Sequence, residues 1–440
     1  MPDPPVFRCM RRTFTFRELG NCRDCAVSII EHIHLRSTPL ANLRSKNIGT
    51  FTAVVGMWKY TTIFAVAFAV LLGLKRTSST RRLGTEQSVS GDQQGCRVSY
   101  ATRYGMAGKR DPVFFSTSPL DDFEQPSIEP MNATAGEQWE FDGISEDGTQ
   151  AFVFANGSRY AVVDYAEESI IQSCPGKGTR GTWKTDNWAY TFEISADMSR
   201  TKITVNNPEA KIAIEMASLA PPRYADGTTW PSANASLLTV PHFYWVEPVP
   251  VAEVIVEATI HGDRVSWAGM GGHERLWGAF NWFTCLETLL VARVRTGPYA
   301  LSFLEFGSGQ QRGLYVPSVV LAEEGKSIFN TRRTEPSDTE DYMQVRKLYG
   351  DVGVTTQALA DKVTGMDVVL VSPKRNRQWK FVLTHKNLAF EYNLGVGRGG
   401  SAYSGIAVGG LVGSDLFKGP AFSEVMRFPE KSMLLAKNFA

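Results

Sequence analysis

The chain has 440 residues, which at roughly 100–200 residues per domain allows two or three domains. Hydrophobic residues make up 43% and charged residues 21%, as in ordinary folded globular proteins. The net charge of +1 excludes bulk electrostatic attraction to nucleic acid or to an anionic surface. The six cysteines are too widely spread for the dense disulfide framework of a small secreted domain. One or two bridges stay possible, for example involving Cys96 and Cys174, but the sequence does not pair them.

Residues 1–56 are basic and lack apolar alternation. Cys22 and Cys25 form a CxxC pair that is followed by His32 and His34, which raises the question of a zinc site. Two histidines so close behind the cysteines do not match the spacing of a zinc finger. We therefore expect no metal site here, and predict a disordered extension or a mis-assigned translation start.

The segment Thr61–Leu74 is uncharged and apolar and is flanked by basic residues. Its length of about 14 residues is short of the ~20 that cross a bilayer as a helix, but it fits the apolar region of a secretory signal. Met57 lies just ahead, so residues 57–82 are predicted to be a signal peptide or signal anchor. The alternative is a buried core helix, but the polar flank that follows offers nothing to bury it. The protein is therefore expected to be membrane-associated, with a luminal catalytic part in which three N-glycosylation sequons become usable. The sequons begin at Asn132, Asn156 and Asn234.

Residues 83–109 are rich in Ser, Thr, Arg, Gly and Gln and are predicted to be a linker. After Pro112, short runs of β-forming residues alternate with turn residues at intervals of roughly 8–12 residues, the pattern of a β-sandwich or barrel. The stretch Trp188–Ile194 alternates cleanly and should bury one face, whereas Val368–Val371 is continuously apolar and suits a central strand. Only Phe280–Val291 is ambiguous between a short helix and a strand. The folded part is therefore predicted to be all-β.

Motifs of common enzyme classes are missing from the sequence. It contains no phosphate-binding loop after a strand, no HExxH and no GxSxG. The glycine-rich stretch Gly395–Gly400 follows no βαβ pattern, and no histidines cluster after His34. These patterns disfavour nucleotide-dependent, metal-dependent and triad-based chemistry, and we expect no cofactor.

Several segments, in their order and spacing, resemble the fungal intramolecular Diels–Alderases, a lipocalin-like family related to the carotenoid hydratase fold. The resemblance extends over about residues 110–439. The segments that carry it are Glu137-Gln-Trp-Glu-Phe-Asp142, His242-Phe-Tyr-Trp-Val-Glu-Pro248, Gly269-Met-Gly-Gly-His-Glu-Arg-Leu-Trp277-Gly-Ala-Phe-Asn-Trp282, Trp379-Lys-Phe-Val-Leu-Thr-His385 and the glycine-flanked Arg398.

The resemblance implies two lipocalin-like β domains, at residues 110–265 and 266–440, with a substrate pocket at and between them. It implies an enzyme that performs an intramolecular [4+2] cycloaddition on a polyene made by a polyketide–peptide hybrid synthase. The residues of the HFYW and FNW segments resemble more closely the cytochalasan branch, which forms a macrocycle-fused isoindolone from a pyrrolinone substrate. Three alternatives stay open: a decalin-forming Diels–Alderase, a non-catalytic carrier of a hydrophobic metabolite, and a hydratase or isomerase that uses Glu140 or Asp142 as an acid.

A [4+2] cycloaddition transfers no proton and needs no nucleophile. Holding diene and dienophile in one reactive pose can contribute up to ~7–11 kcal/mol in favourable intramolecular cases. A hydrogen bond to the dienophile carbonyl adds a smaller electrostatic contribution in a dry site. The expected site therefore consists of aromatic walls and one or two donors.

The resemblance implies catalytic roles for Glu140 and Arg398, with Glu140 anchoring a polar group of the substrate. Arg398 falls where decalin-forming relatives have Lys, and Phe390 falls where they have Trp. For the aromatic residues the alternative is ordinary core packing, and for Glu140 it is an exposed strand position. The substrate-binding residues that the resemblance implies are Trp139, Tyr244, Trp277, Trp282 and Phe390.

One departure from the family lies between Phe154 and Tyr160. Only Ala155–Arg159 separates them, whereas the family has about one hairpin more, including a tyrosine and an acidic residue of the pocket. Either the segment is truly shorter or the gene model has lost coding sequence, and the shortening favours the carrier alternative slightly.

Overall fold

The computed structural model describes residues 95–102, 113–129, 135–154, 159–160, 166–279 and 285–429. These residues form β-strands and turns, with one short 3₁₀ turn at Pro373–Arg375, so the all-β prediction is confirmed. In this described part no helix is long and apolar enough to cross a bilayer. The predicted extension 1–56 and the predicted signal segment 57–82 lie outside the described residues.

The first sheet contains 13 strands and is antiparallel. Its strands are β1 (Arg97–Thr102), β4 (Ala135–Ser145), β5 (Ala151–Phe154), β6 (Arg159–Tyr160), β7 (Glu168–Cys174), β8 (Gly178–Lys184), β9 (Ala189–Ile194), β10 (Arg200–Asn206), β11 (Ala210–Ser218), β12 (Arg223–Tyr224), β13 (Leu238–Val240), β14 (Phe243–Ile260) and β15 (Asp263–Ala279). Their order is β1-β7-β8-β9-β10-β11-β14-β15-β4-β5, with β12 and β13 paired to β14 and β6 paired to β4. A separate hairpin consists of β2 (Phe114–Phe115) and β3 (Ile128–Glu129).

The second sheet contains nine antiparallel strands in the order β19-β18-β17-β16-β24-β23-β22-β21-β20. They are β16 (Leu286–Thr296), β17 (Tyr299–Ser308), β18 (Tyr315–Glu323), β19 (Lys326–Thr331), β20 (Tyr342–Leu348), β21 (Gly365–Ser372), β22 (Arg377–Gly395), β23 (Arg398–Leu411) and β24 (Phe417–Arg427). The ambiguous stretch after residue 285 is therefore strand, since β16 begins at Leu286.

The alternation along the strands explains the two cores. In β9, Tyr190, Phe192 and Ile194 are buried inside the first sheet, as the pattern of Trp188–Ile194 predicts. The continuously apolar run in β21 has neighbours on both sides, β20 and β22, and its buried residues join the core of the second sheet. Each sheet thus encloses a hydrophobic core of its own.

The strand pairing divides the chain at positions that differ from the domain boundaries predicted from the sequence. The proposed boundary between residues 265 and 266 falls inside β15, all of which pairs within the first sheet as far as Ala279. The proposed linker 83–109 contains β1, which pairs with β7 along its whole length. A disulfide between Cys96 and Cys174 joins the start of β1 to the end of β7 and fixes one of the pairings that the sequence leaves open. A short strand of mixed polarity carries little periodic signal, which explains why β1 escapes detection.

The two sheets also pack against each other. One apolar cluster at their contact joins Trp245 and Leu276 of the first sheet to Val291 and Leu304 of the second. The other cluster combines residues of both sheets in the same way, including Ile144, Met270, Ala402 and Phe422. Between these two clusters lies a group of buried charged residues.

Candidate active site

Strand β4 has two faces with opposite chemistry. Trp139 and Phe141 point into the core of the first sheet. Glu140 and Asp142 alternate with them and therefore face the second sheet, and both are buried, with Glu140 only 9% exposed. The sequence Trp139-Glu140-Phe141-Asp142 thus places two aromatic rings on one face of β4 and two carboxyl groups on the other.

Glycines in β15 allow the close packing that forms this site. A Cβ at Gly269 or Gly271 would meet a backbone carbonyl oxygen of β4 at 1.8 or 2.1 Å, so both positions need glycine for the strands to pair. A Cβ at Gly272 would lie 2.2 Å from Nε of Arg293 in β16. Gly272 therefore leaves room for an arginine that enters from the second sheet.

Arg293 is 1% exposed and connects the two sheets through its guanidinium group. It donates to Asp142, to Oε1 of Glu247 at 3.1 Å and to Oε2 of Glu274 at 3.1 Å. Its Nε donates to the carbonyl oxygen of Pro250 at 3.0 Å. These four acceptors all belong to the first sheet and occupy all three nitrogens of the guanidinium.

A second buried arginine extends the network. Arg223 donates from Nε to Oε2 of Glu247 at 2.6 Å and from its terminal nitrogens to Ser318 at 2.7 Å and Ser302 at 3.2 Å. Ser302 in turn donates to Glu247, at 2.7 Å to Oε1. Glu247 is thereby fully bonded between the two guanidinium groups and the serine hydroxyl.

Other carboxyl groups of the cluster lack this compensation. Burial, reinforced by the neighbouring carboxyl groups of Glu274 and Asp142, raises the pKa of Glu140 to about 8. Burial likewise raises the pKa of Asp142 to about 7, although Arg293 opposes the shift. The pKa of Glu424 in β24 lies well above its ordinary value, because the group is buried next to Glu140, Glu274 and Asp142. These shifts favour protonated carboxylic acids in the cluster at neutral pH, and such acids can donate hydrogen bonds.

An aromatic and apolar wall adjoins these acids on the second sheet. The rings of Phe390 and Tyr392 in β22 stack with centroids 6.2 Å apart. The hydroxyl of Tyr392 donates to the sulfur of Met426 at 3.3 Å. Its pKa is raised by burial and by the nearby carboxyl groups of Glu424 and Glu140. Gly400 lies beneath the ring, where a Cβ would come within 2.5 Å of Cε1 of Tyr392.

Three of the aromatic residues implied by the resemblance lie on the face of the first sheet that points away from the second sheet. Trp139, Tyr244 and Trp277 contact the core of the first sheet. Tyr244 and Trp277 pair across β14 and β15 and stack at 5.8 Å, and Trp277 donates to the carbonyl oxygen of Ser116 at 3.2 Å. The guanidinium of Arg275 lies 3.8 Å from the ring of Trp139. These aromatics thus line the interior of the first sheet rather than the contact between the sheets.

Arg398 is half-buried and begins β23, where it pairs with Gly395 at the hairpin turn. Ala402, which pairs with Glu424, lies four positions further along β23, or about 13 Å along a strand. The structure therefore brings Glu140 together with the strand that holds Phe390, and sets Arg398 at the end of the same hairpin. Trp282 lies outside the described residues.

The sequence analysis missed Glu424, Arg293 and Glu274 as site residues. Glu274 is contained in the segment that begins at Gly269, but it gave no signal of its own. Arg293 and Glu424 each lie in a mainly apolar stretch of a strand that contains two further charged residues nearer its ends. A single charge at a position where the alternation predicts burial is the signal that would find them.

Within the described ranges, no group of three or more His, Cys, Asp or Glu side chains is arranged to hold a metal ion. The cysteine–histidine motif at Cys22–His34 lies outside these ranges.

Comparison with known proteins identifies the family. The Diels-Alderase-like family model matches residues 93–155 and 152–429, and the two matches meet at the place where the sequence is short. The chain is 45% identical over 368 residues to Diels-Alderase cheD of Chaetomium globosum, covering 78% of this chain and 86% of that protein. It is 45% identical over 359 residues to Diels-Alderase phmD of Phaeosphaeria nodorum, covering 76% and 99% respectively.

The fold has a counterpart among solved structures. The crystal structure of CghA with Sch210972 superposes with a TM-score of 0.65 at 22% identity, covering 76% of this chain and 99% of that one. This likeness shows that the two proteins share their fold. The family match and the two sequence relatives together establish that the chain belongs to the Diels–Alderase-like family, and that it is a Diels–Alderase acting on a small-molecule substrate.

Proposed function

We propose that the enzyme catalyses an intramolecular [4+2] cycloaddition of a polyketide–amino acid hybrid and forms the macrocycle-fused isoindolone of cytochalasans. The substrate would be a polyene chain that carries a pyrrolinone ring. The observation that carries the proposal is the contact between the sheets, where buried carboxylic acids adjoin the wall of Phe390, Tyr392 and Met426.

This division of chemistry suits an amphipathic substrate. A pyrrolinone has a polar lactam edge that needs hydrogen-bond partners in a dry site, and Glu140 lies with Gln138 on the face of β4 towards the second sheet. The polyene needs an apolar surface that holds it in a folded pose. The smaller Phe390, where decalin-forming relatives have Trp, supports the isoindolone product over a decalin.

The cycloaddition needs little from the protein besides positioning and one polarising donor. A hydrogen bond to the lactam carbonyl withdraws electron density from the conjugated double bond of the ring and makes it a better dienophile. A neutral carboxylic acid can be that donor, since it carries the O–H that a carboxylate lacks. Glu140 is our candidate for this role, and Arg398 stays a candidate for a second donor at the end of the hairpin.

The test is a direct comparison of two synthetic precursors with purified enzyme. One is a linear polyenyl pyrrolinone of the cytochalasan type, and the other is a linear polyene that closes to a decalin. We expect faster and stereoselective closure of the pyrrolinone, with heat-denatured enzyme as the control. Preferential closure of the decalin precursor would overturn the isoindolone assignment, and tight binding of both without turnover would return the protein to the carrier hypothesis.

We also propose that a polyketide–peptide hybrid synthase supplies the linear precursor, since such an enzyme joins a polyene to an amino acid. Genes adjacent to that of the enzyme provide the test. A hybrid synthase gene next to it is the expected result, and a genomic neighbourhood without any polyketide synthase would argue against this partner.

For its location we propose a membrane of the secretory pathway, with the catalytic part in the lumen. The apolar segment Thr61–Leu74 supports the targeting. The disulfide Cys96–Cys174 supports an oxidising compartment, since such bonds are rare in the cytosol. Asn234, which begins one of the sequons, is exposed and available to a glycosyltransferase.

A further inference from the structure

We propose that Glu424 is a substrate-binding residue of this enzyme, whose carboxylic acid pairs with the lactam edge of the substrate. The inference rests on the proposed pyrrolinone substrate. The acidic site residue predicted from the sequence, Glu140, lies in the first sheet, and Glu424 adds an acidic residue from the second sheet.

The register of β24 turns Glu424 towards the first sheet. Its neighbours at alternate positions, Phe422 and Met426, both contact the apolar clusters between the sheets. Its cross-strand partners, Val291 on β16 and Ala402 on β23, belong to the same clusters. The side chain therefore points away from the core of the second sheet and into the contact between the sheets.

One carboxyl oxygen of Glu424 is buried there without a hydrogen-bond partner among the described residues. The residue is 2% exposed, and its Oε1 has no hydrogen-bond partner among the described residues. A buried polar group left unsatisfied costs about 1–3 kcal/mol. In an enzyme interior a ligand can supply the missing partner.

Burial and the surrounding charges favour the neutral form of Glu424. It faces Glu140 and Asp142 from β4 and Glu274 from β15, while Arg293, the cation of the described residues that acts on it, is already bonded to other acceptors. Tyr392 from β22 is close enough for the two groups to influence each other electrostatically. Like charges and the lack of a free cation disfavour a carboxylate, so burial and these neighbours raise the pKa of Glu424.

A neutral carboxylic acid is complementary to a lactam. Its O–H donates to the lactam carbonyl, while its own carbonyl oxygen accepts from the lactam N–H, so that two parallel hydrogen bonds form. The lactam carbonyl has two lone pairs, so the first of these bonds adds to the polarisation by Glu140, and the second fixes the orientation of the ring. A carboxamide offers the same donor and acceptor, whereas a leucine side chain offers neither.

The experiment compares Glu424→Gln with Glu424→Leu. For each protein we would measure the cyclisation rate of a polyenyl pyrrolinone and the Kd of a pyrrolinone fragment that lacks the polyene. Glu424→Gln should stay within about threefold of wild type, whereas Glu424→Leu should lose about tenfold in both measurements. Glu305→Gln is the matched control, because its carboxyl group also has a pKa raised by burial but lies on the opposite face of β17 from Ser302. The control should leave both values unchanged.

A second substrate separates binding from folding effects. Methylation of the lactam nitrogen removes the N–H whose hydrogen bond Glu424 accepts. Wild type should therefore bind and cyclise the methylated pyrrolinone about tenfold less well than the unmethylated one, whereas Glu424→Leu should treat the two alike. Glu424→Leu should melt no lower than wild type, since it removes an unsatisfied buried group. A Glu424→Leu variant that binds and cyclises the pyrrolinone like wild type would overturn the inference.

The two proposals fail in different ways. If wild type binds the fragment in a Glu424-dependent manner but closes no polyenyl pyrrolinone, the isoindolone function fails and the binding role stands. If wild type closes the substrate and Glu424→Leu does so equally well, the function stands and the role of Glu424 fails.

Discussion

At the level of single residues, the site is dominated by an imbalance of charge. Five buried carboxyl groups, those of Glu140, Asp142, Glu247, Glu274 and Glu424, share two buried guanidinium groups, those of Arg223 and Arg293. Full ionisation would leave several negative charges without partners in a dry interior, which is far more costly than protonation. Some of these carboxyl groups are therefore expected to be protonated at neutral pH. The stability of the folded protein and the number of hydrogen-bond donors in the cluster should both depend on pH.

The stability of the protein should consequently fall as the pH rises from 5 to 8. The folded state holds a proton on Glu140 up to about pH 8, whereas the unfolded chain releases it near the ordinary value of 4.5. In this window the folded state binds more protons, so the free energy of unfolding declines by up to about 1.4 kcal/mol per pH unit for one such group. Thermal melts across the window should show this decline, and Glu140→Gln should flatten it.

The control for this prediction is Glu209→Gln, because Glu209 is exposed in a turn of the first sheet. Its melts should show the same pH dependence as wild type. An unchanged slope in Glu140→Gln would mean that Glu140 is ionised in the folded protein throughout the window.

Arg293 and Arg295 offer a matched pair on one strand. Arg293→Met should lower the free energy of unfolding by about 3–5 kcal/mol, because the buried Asp142 and Glu274 lose their cation and Glu247 keeps only Arg223. The loss should shrink at pH 5, where those carboxyl groups can take up protons. Among the residues that the structure describes, Arg295 pairs only with the exposed Glu146 and Glu253, so Arg295→Met should cost at most about 1 kcal/mol. Urea unfolding of both variants decides the matter, and equal losses would contradict the buried network.

At the level of elements, β1 shows that the first sheet begins earlier in the chain than the sequence pattern predicts. It pairs with β7 along its full length and is joined to it by the disulfide Cys96–Cys174. The two longest strands of the first sheet, β14 and β15, similarly carry the contact with the second sheet. The units that fold together are therefore defined by pairing and not by local composition.

Two truncations test the role of β1. Deletion of residues 1–82 should leave a soluble and folded enzyme, since every described strand is retained. Deletion of residues 1–109 removes β1, exposes the edge of β7 and frees the thiol of Cys174, so this variant should melt lower and aggregate more readily. Melting temperatures and light scattering compare the two. Equal behaviour would show that β1 contributes nothing to the first sheet.

At the level of the whole molecule, the site depends on two sheets meeting face to face. Glu140, Asp142 and Glu274 come from one sheet, while Arg293, Glu424 and the wall of Phe390 and Tyr392 come from the other. Neither sheet by itself contains both the acids of β4 and the aromatic wall of β22. The proposed site therefore requires the contact between the sheets to be intact.

The proposed location also concerns the whole chain. If the segment Thr61–Leu74 directs the protein to the secretory pathway, full-length protein should sediment with membranes and require detergent for release. Digestion with an N-glycosidase should shift its electrophoretic mobility, and Asn234→Gln should reduce that shift. Full-length protein that stays in the cytosolic fraction without detergent would refute the targeting.

The sequence by itself determined the fold class, the family and the two faces of β4. Alternating apolar residues indicate strands wherever one face is buried, and Trp139-Glu140-Phe141-Asp142 already separates a core face from a polar one. Only the tertiary structure decided what the polar face meets. Glu140 lies within reach of Glu424 and Arg293, which are 284 and 153 positions away in the chain, because the two sheets pack face to face. Local pattern contains no information about pairing over such separations, whereas packing decides which buried charges share one site.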